Sequence, residues 1–125
     1  MQRRTGIHLT AASILVLAGS LGPAAVQNAV AAEAKSVIEQ GREIAFNRKK
    51  GNCLACHQIE GGTLPGNIGP PLIGMKARFP DKARLRAQIW DATVNNPNTI
   101  MPPFGRHRIL SEEEIDKVVE FIHSL

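Results

Sequence analysis

Gly51-Asn52-Cys53-Leu54-Ala55-Cys56-His57 holds both cysteines of the 125-residue chain, two residues apart and followed at once by a histidine. Covalent attachment of a c-type haem uses this spacing. Two thiols so placed add to the two vinyl groups of one porphyrin and fix the backbone along its edge, and the histidine then falls beneath the iron. Cys53 and Cys56 are the expected attachment points, and His57 is the expected proximal ligand.

Other uses of a cysteine pair fit the flanks poorly. A thioredoxin-type pair follows a strand and opens a helix, whereas Asn47-Arg48-Lys49-Lys50-Gly51-Asn52 is polar and turn-like. A structural zinc site needs four ligands, and past the motif the chain adds only His107 and His123. A disulfide across so short a separation would be strained, and it would leave His57 without a role.

Upstream, residues 1–31 read as a cleaved signal peptide. Arg3 and Arg4 give a positive start, Ala11 to Leu21 is an apolar run, and Ala29-Val30-Ala31 offers the small-x-small pattern of a signal peptidase site. The apolar run is too short and too rich in Ala and Gly for a membrane span, so no membrane anchor is expected. Export to the periplasm by the general secretory route follows, because a c-type apoprotein crosses unfolded and gains haem outside. The remaining domain, residues 32–125, is small for a stable core of its own and has no spare cysteine pair. A buried porphyrin supplies the missing core.

Periodicity predicts three helices and an all-α domain. The first runs from about Ser36 to Arg48, with Val37, Ile38, Ile44, Ala45 and Phe46 apolar and Gly41 as a site of close helix approach. The second begins near Asp81, after Pro80, and carries Leu85 and Ile89 at i and i+4. The third opens with a Ser111/Glu114 capping box and presents Ile115, Val118, Val119 and Ile122 on one face. Between helices the chain is rich in Gly and Pro and shows no alternating strand pattern. The punctuated stretch 61–71, just after His57, suits a wall of the haem crevice, with a carbonyl near Pro70 accepting from the outer nitrogen of His57.

For the sixth iron ligand the candidate is Met101, in the proline-braced loop Asn96-Pro97-Asn98-Thr99-Ile100-Met101-Pro102-Pro103-Phe104-Gly105. Prolines restrict such a loop before any iron arrives, and Met/His ligation raises the potential in a way that suits an electron carrier. His107 and Met75 are the alternatives; Met75 reads as a packing residue, and His107 and His123 otherwise read as surface residues.

Charge is uneven. Residues 44–108 carry ten Lys or Arg against three acids, net +7, while residues 109–125 carry five acids against Lys117, net −4. Such asymmetry points to a directional docking face, and no nucleic-acid partner is expected, since that would also want stacking aromatics. Whether Arg78, Lys82, Arg84 and Arg86 steer an anion or solvate a helix is open at this level.

Taken together, Gly41-Arg42-Glu43-Ile44-Ala45-Phe46, the Cys53–His57 motif, Gly66-Asn67-Ile68-Gly69-Pro70-Pro71-Leu72, Met75-Lys76-Ala77-Arg78-Phe79-Pro80-Asp81, Gln88-Ile89-Trp90-Asp91-Ala92-Thr93 and Met101-Pro102-Pro103-Phe104-Gly105-Arg106-His107 resemble the class I c-type cytochromes. Within them the chain resembles the SoxX subunits of the SoxAX cytochromes of bacterial sulfur oxidation, from Gly41 to Leu125. The resemblance implies a class I cytochrome c-like domain with about three main helices around one covalent haem c, held by Cys53 and Cys56 and ligated by His57 and Met101. It further implies a heterodimer with a SoxA-like di- or mono-haem subunit that carries the catalytic cysteine. That complex, an L-cysteine S-thiosulfotransferase, couples thiosulfate to a cysteine of a sulfur-carrier protein. This chain would hold no catalytic residue of its own and would relay electrons to an acceptor cytochrome. Phe79, Ile100, Pro102, Pro103 and Phe104 are the expected apolar docking surface beside the haem edge. A stand-alone periplasmic electron carrier would share every haem feature.

Overall fold

Ser36 and Glu39 open the first helix reciprocally. The Glu39 N–H donates to the Ser36 hydroxyl at 3.2 Å and the Glu39 carboxylate accepts from the Ser36 N–H at 3.3 Å, which satisfies donors that a helix start leaves open. In the computed structural model, which describes residues 35–125, this helix α1 spans Val37–Phe46. The leader expected over residues 1–31 lies outside the described residues. α1 ends two residues before the expected Arg48, because Asn47 turns extended and its side chain accepts the Lys49 N–H at 2.8 Å, a local bond that competes with helix continuation.

Three further helices follow: α2, Met75–Arg78; α3, Lys82–Trp90, capped by the Asp81 carboxylate; and α4, Glu112–His123. Short 3-10 turns stand at Cys53–Ala55 and Ala92–Val94. The predicted capping box of α4 is present, Ser111 and Glu114 exchanging bonds of 3.0 and 3.2 Å. Among the described residues there is no strand, so the all-α expectation holds. The single-turn α2 was not predicted; four residues are too few for a periodic signal.

α4 is the element on which the others pack. Ile115, Val118, Val119 and Ile122 are each at most 4% exposed, and Leu85 and Ile89 of α3 join the same core. Across α1, Gly41 meets α4 so closely that a Cβ would sit 2.0 Å from the Lys117 carbonyl oxygen. One turn on, Phe46 and Phe121 meet edge to face at 5.8 Å, a favoured aromatic geometry. His123, expected at the surface, is buried at 7% exposure and donates through Nε2 to the Phe79 carbonyl at 3.1 Å.

The charge asymmetry also finds its use in fastening α4. All five carboxylates of the helix are ion-paired: Glu112 and Asp116 with Arg86, Glu114 with Lys50, Glu120 with Lys82, and Glu113 with Lys117. Lys82 and Arg86 are therefore helix-to-helix ties, and three of the ten basic residues of 44–108, Lys50 with these two, are paired to this helix.

Candidate haem site

The motif is delivered by a tight return from α1. The Asn47 carbonyl accepts from the Lys50 and Asn52 N–H groups, each at 3.0 Å, and the Gly51 N–H donates to the Ile44 carbonyl at 3.1 Å. Asn52 takes the left-handed conformation at φ 47, which Asn tolerates better than most residues. Cys53 then opens a single turn in which its carbonyl accepts from the Cys56 N–H at 3.2 Å and the His57 N–H at 2.9 Å. That turn brings both thiols and the imidazole to one cavity.

Stretch 58–72 runs beside the motif and is tied to it. Gly66 donates to Leu54, Gly69 to Cys56 and Leu72 to Gln58, all at 2.8–2.9 Å. The predicted second bond of the histidine is present: Nδ1–H of His57 donates to the Pro70 carbonyl at 2.7 Å. This fixes the tautomer and leaves Nε2 with its lone pair free to ligate. Gly69 stacks its backbone on the same ring, so that a Cβ there would lie 2.5 Å from Cε1. Arg78 reinforces the loop by donating to the next carbonyl, that of Pro71, at 2.7 Å.

The cavity measures about 590 Å³, and the half-buried Met101 lines it together with His57. This volume is in the range of cofactor pockets, and much of the lining is apolar, with Leu72, Phe79, Leu85 and Ile89 among its residues. No acid lines it, while Arg48, Lys49 and Arg78 do, an arrangement suited to a flat apolar ring with carboxylate side arms. Burial against this wall, with the neighbouring Cys56, pushes the Cys53 thiol up to about 11. The residues present thus fit a covalently attached porphyrin. No group of three or more His, Cys, Asp or Glu among the described residues could hold a metal ion by itself, which leaves the zinc reading without a ligand set.

A family model described as cytochrome c oxidase, cbb3-type, subunit III matches residues 36–122. The chain belongs to this cytochrome c family. One haem c is bound covalently through the Cys53/Cys56 motif. The cytochrome is also similar in fold and sequence to a chain of the crystal structure of SoxXA from P. pantotrophus, with TM-score 0.64 and 30% identity over 74% of this chain and 83% of that one. It is 37% identical over 76 residues to an uncharacterized lipoprotein of Aquifex aeolicus (strain VF5). That match spans 60% of this chain and 37% of the relative's length.

The structure sorts the remaining candidates. His107 is exposed and does not line the cavity of the cytochrome. Met75 borders it but is 2% exposed within the core, and its sulfur accepts from Arg78 at 3.2 Å, as a packing residue would. Of the expected docking surface, Ile100 is 68% exposed and Pro102 is exposed, whereas Pro103 and Phe104 are buried. Phe104 turns inward because its carbonyl accepts from both Ile109 and Leu110, which folds the chain back over it. Among the described residues no helix is long and apolar enough to cross a membrane. Sequence reasoning missed the Arg78–Pro71 tie and the polar cluster of Asp91, Thr93 and Arg106. In the cluster only the Asp91–Thr93 cap is local; Arg106, 13 residues on from Thr93, and the Arg78–Pro71 tie join residues that no short-range pattern links.

Proposed function

We propose that this cytochrome is the electron-accepting haem subunit of a SoxAX-type complex, exported to the periplasm after loss of residues 1–31 and bound to a SoxA-like partner. The observation that carries the reading is the 30% identity to a chain of SoxXA, sustained over 83% of that chain. In the proposed reaction, the thiol of a carrier-protein cysteine and thiosulfate form a sulfur–sulfur bond, with release of one proton and two electrons. Both cysteines of this chain are committed to haem attachment, so the nucleophilic thiol belongs to the partner or the carrier. Haem held in the cavity supplies a one-electron couple at its iron.

In this reading His57 is the proximal ligand, held in register by Pro70 and Gly69. Met101 is the distal ligand, placed by its loop, with its own N–H bonded to the Thr99 hydroxyl at 3.1 Å. Exposed Ile100 and Pro102 stand beside the cavity as the apolar part of the docking surface. Purification of the native protein at moderate salt tests the assignment. A stable one-to-one complex with a second, larger cytochrome is expected. A monomer whose deletion leaves thiosulfate oxidation intact would instead identify a freely diffusing electron carrier, with weak and salt-sensitive contacts.

A further inference from the structure

The segment that carries Met101 leaves the end of α3 and returns at residues 105–106, where its two ends are joined by a polar cluster around the buried Asp91 carboxylate. Asp91 Oδ1 accepts from the Thr93 N–H at 3.0 Å and the Thr93 hydroxyl at 2.5 Å. Asp91 Oδ2 pairs with Arg106 Nη1 at 3.0 Å, and the same guanidinium nitrogen donates to Thr93 Oγ1 at 3.3 Å. Beside them the Gly105 and Arg106 N–H groups share the Trp90 carbonyl, at 3.0 and 3.4 Å. Together these contacts close the loop at its base.

Burial sets this ion pair apart. The Asp91 side chain is 5% exposed, whereas the paired carboxylates elsewhere among the described residues are 24% exposed or more. Exposed pairs contribute little, but breaking a buried one leaves a charge stranded. Inside the loop, by contrast, order rests on a few short-range bonds: Asn96 N–H to the Ala92 carbonyl, Thr99 N–H to the Asn96 carbonyl, and Met101 N–H to the Thr99 hydroxyl. Val94 and Ile100 point to solvent at 77% and 68% exposure and give the loop little anchoring of their own. A thioether is a weak ligand, so its hold on iron depends on how rarely the loop opens.

We propose that Asp91, Thr93 and Arg106 form a latch whose closure keeps the Met101 loop seated against the cavity, which makes Asp91 and Arg106 positioning residues for the sixth iron ligand. The ligand part rests on reading Met101 as that ligand; the closure part does not. Arg106 is the better handle, because its side chain is 50% exposed and its replacement leaves no hole in the core.

The test uses the haem-loaded protein and R106Q, R106K and M101A. Amide hydrogen exchange at Asn96, Thr99 and Met101 should quicken about 10- to 100-fold in R106Q, the range expected for losing a charge-assisted bond, with R106K intermediate. Exchange at Val118 and Val119 of α4 should not change. Imidazole, as a competing ligand for ferric iron, should bind R106Q tighter by a similar factor. Loop exchange unchanged in R106Q, or quickened equally in α4, overturns the latch. A far-red absorption band of methionine-ligated ferric haem that persists in M101A overturns the ligand reading alone, and loop exchange still decides the latch.

Discussion

Gly69 leaves no room for a side chain: a Cβ would come within 2.5 Å of His57 Cε1 and 2.6 Å of Nδ1. Gly69→Ala must therefore push the ring or the loop aside and lengthen the 2.7 Å bond from Nδ1–H to Pro70. On the proposed reading of His57 as the proximal iron ligand, that bond makes the imidazole more electron-rich, which favours the ferric state, so its weakening should raise the midpoint potential. Overpacking of this kind costs about 1–3 kcal/mol. Potentiometric titration and urea unfolding of the haem-loaded variant should show a higher potential and a lower midpoint; an unchanged pair would mean that the loop relaxes freely. At this scale the haem and the second bond of His57 were legible. The Cys53–His57 spacing follows from what haem attachment needs of near neighbours, and the carbonyl at Pro70 from the rigid Gly- and Pro-rich stretch that follows the motif. The burial of His123 was not legible, because its partner, the Phe79 carbonyl, lies 44 residues away.

α4 shows what a single element can and cannot reveal in advance. Its capping box and its apolar face lie within a few residues of one another, and both were readable. Apart from the local Lys117, the partners of its carboxylates are Lys50, Lys82 and Arg86, 26 to 64 residues distant, and charge counting left open whether Lys82 and Arg86 steer an anion or solvate a helix. Two tests belong here. Gly41→Val drives a side chain into the Lys117 carbonyl, 2.0 Å from the Cβ position; since that neighbour is backbone, the loss should reach about 3 kcal/mol or more in urea unfolding. The second test concerns acid. The Lys50 ammonium and the Ser111 N–H hold the Glu114 carboxyl below its ordinary 4.5, and Arg86 with Trp90 does the same for Glu112. A carboxylate whose folded value is depressed contributes stability above the unfolded value and loses it as pH falls through the folded one. The urea midpoint should thus stay level from neutral pH down to about 5 and fall below about 4.5, and Glu114→Gln should make that fall shallower. A midpoint that does not change between pH 5 and pH 3 would contradict the pairing.

For the whole molecule the decisive fact is a cavity of about 590 Å³ within residues 35–125. An engineered void costs on the order of 24 cal/mol per Å³, so a dry hole of this size would cost on the order of 10 kcal/mol, as much as the entire stability of many domains. Emptied, such a fold must collapse or flood. The sequence anticipated this from the opposite direction, as a chain too small for its own core; where the missing core lay depended on long-range packing of α4, α3 and the two loops, which local patterns do not encode. Capping boxes and helix propensity, however, persist without haem. The variant Cys53→Ala/Cys56→Ala, produced without covalent attachment, should therefore keep much of its far-ultraviolet helical signal while losing its near-ultraviolet signal, binding a hydrophobic dye and melting without a cooperative transition. Single substitutions, which leave one thioether, should lie between this state and the native one. A sharp melt of the double variant near the native temperature would mean that α1, α3 and α4 close on one another without the porphyrin, and that the cavity is not the centre of the core.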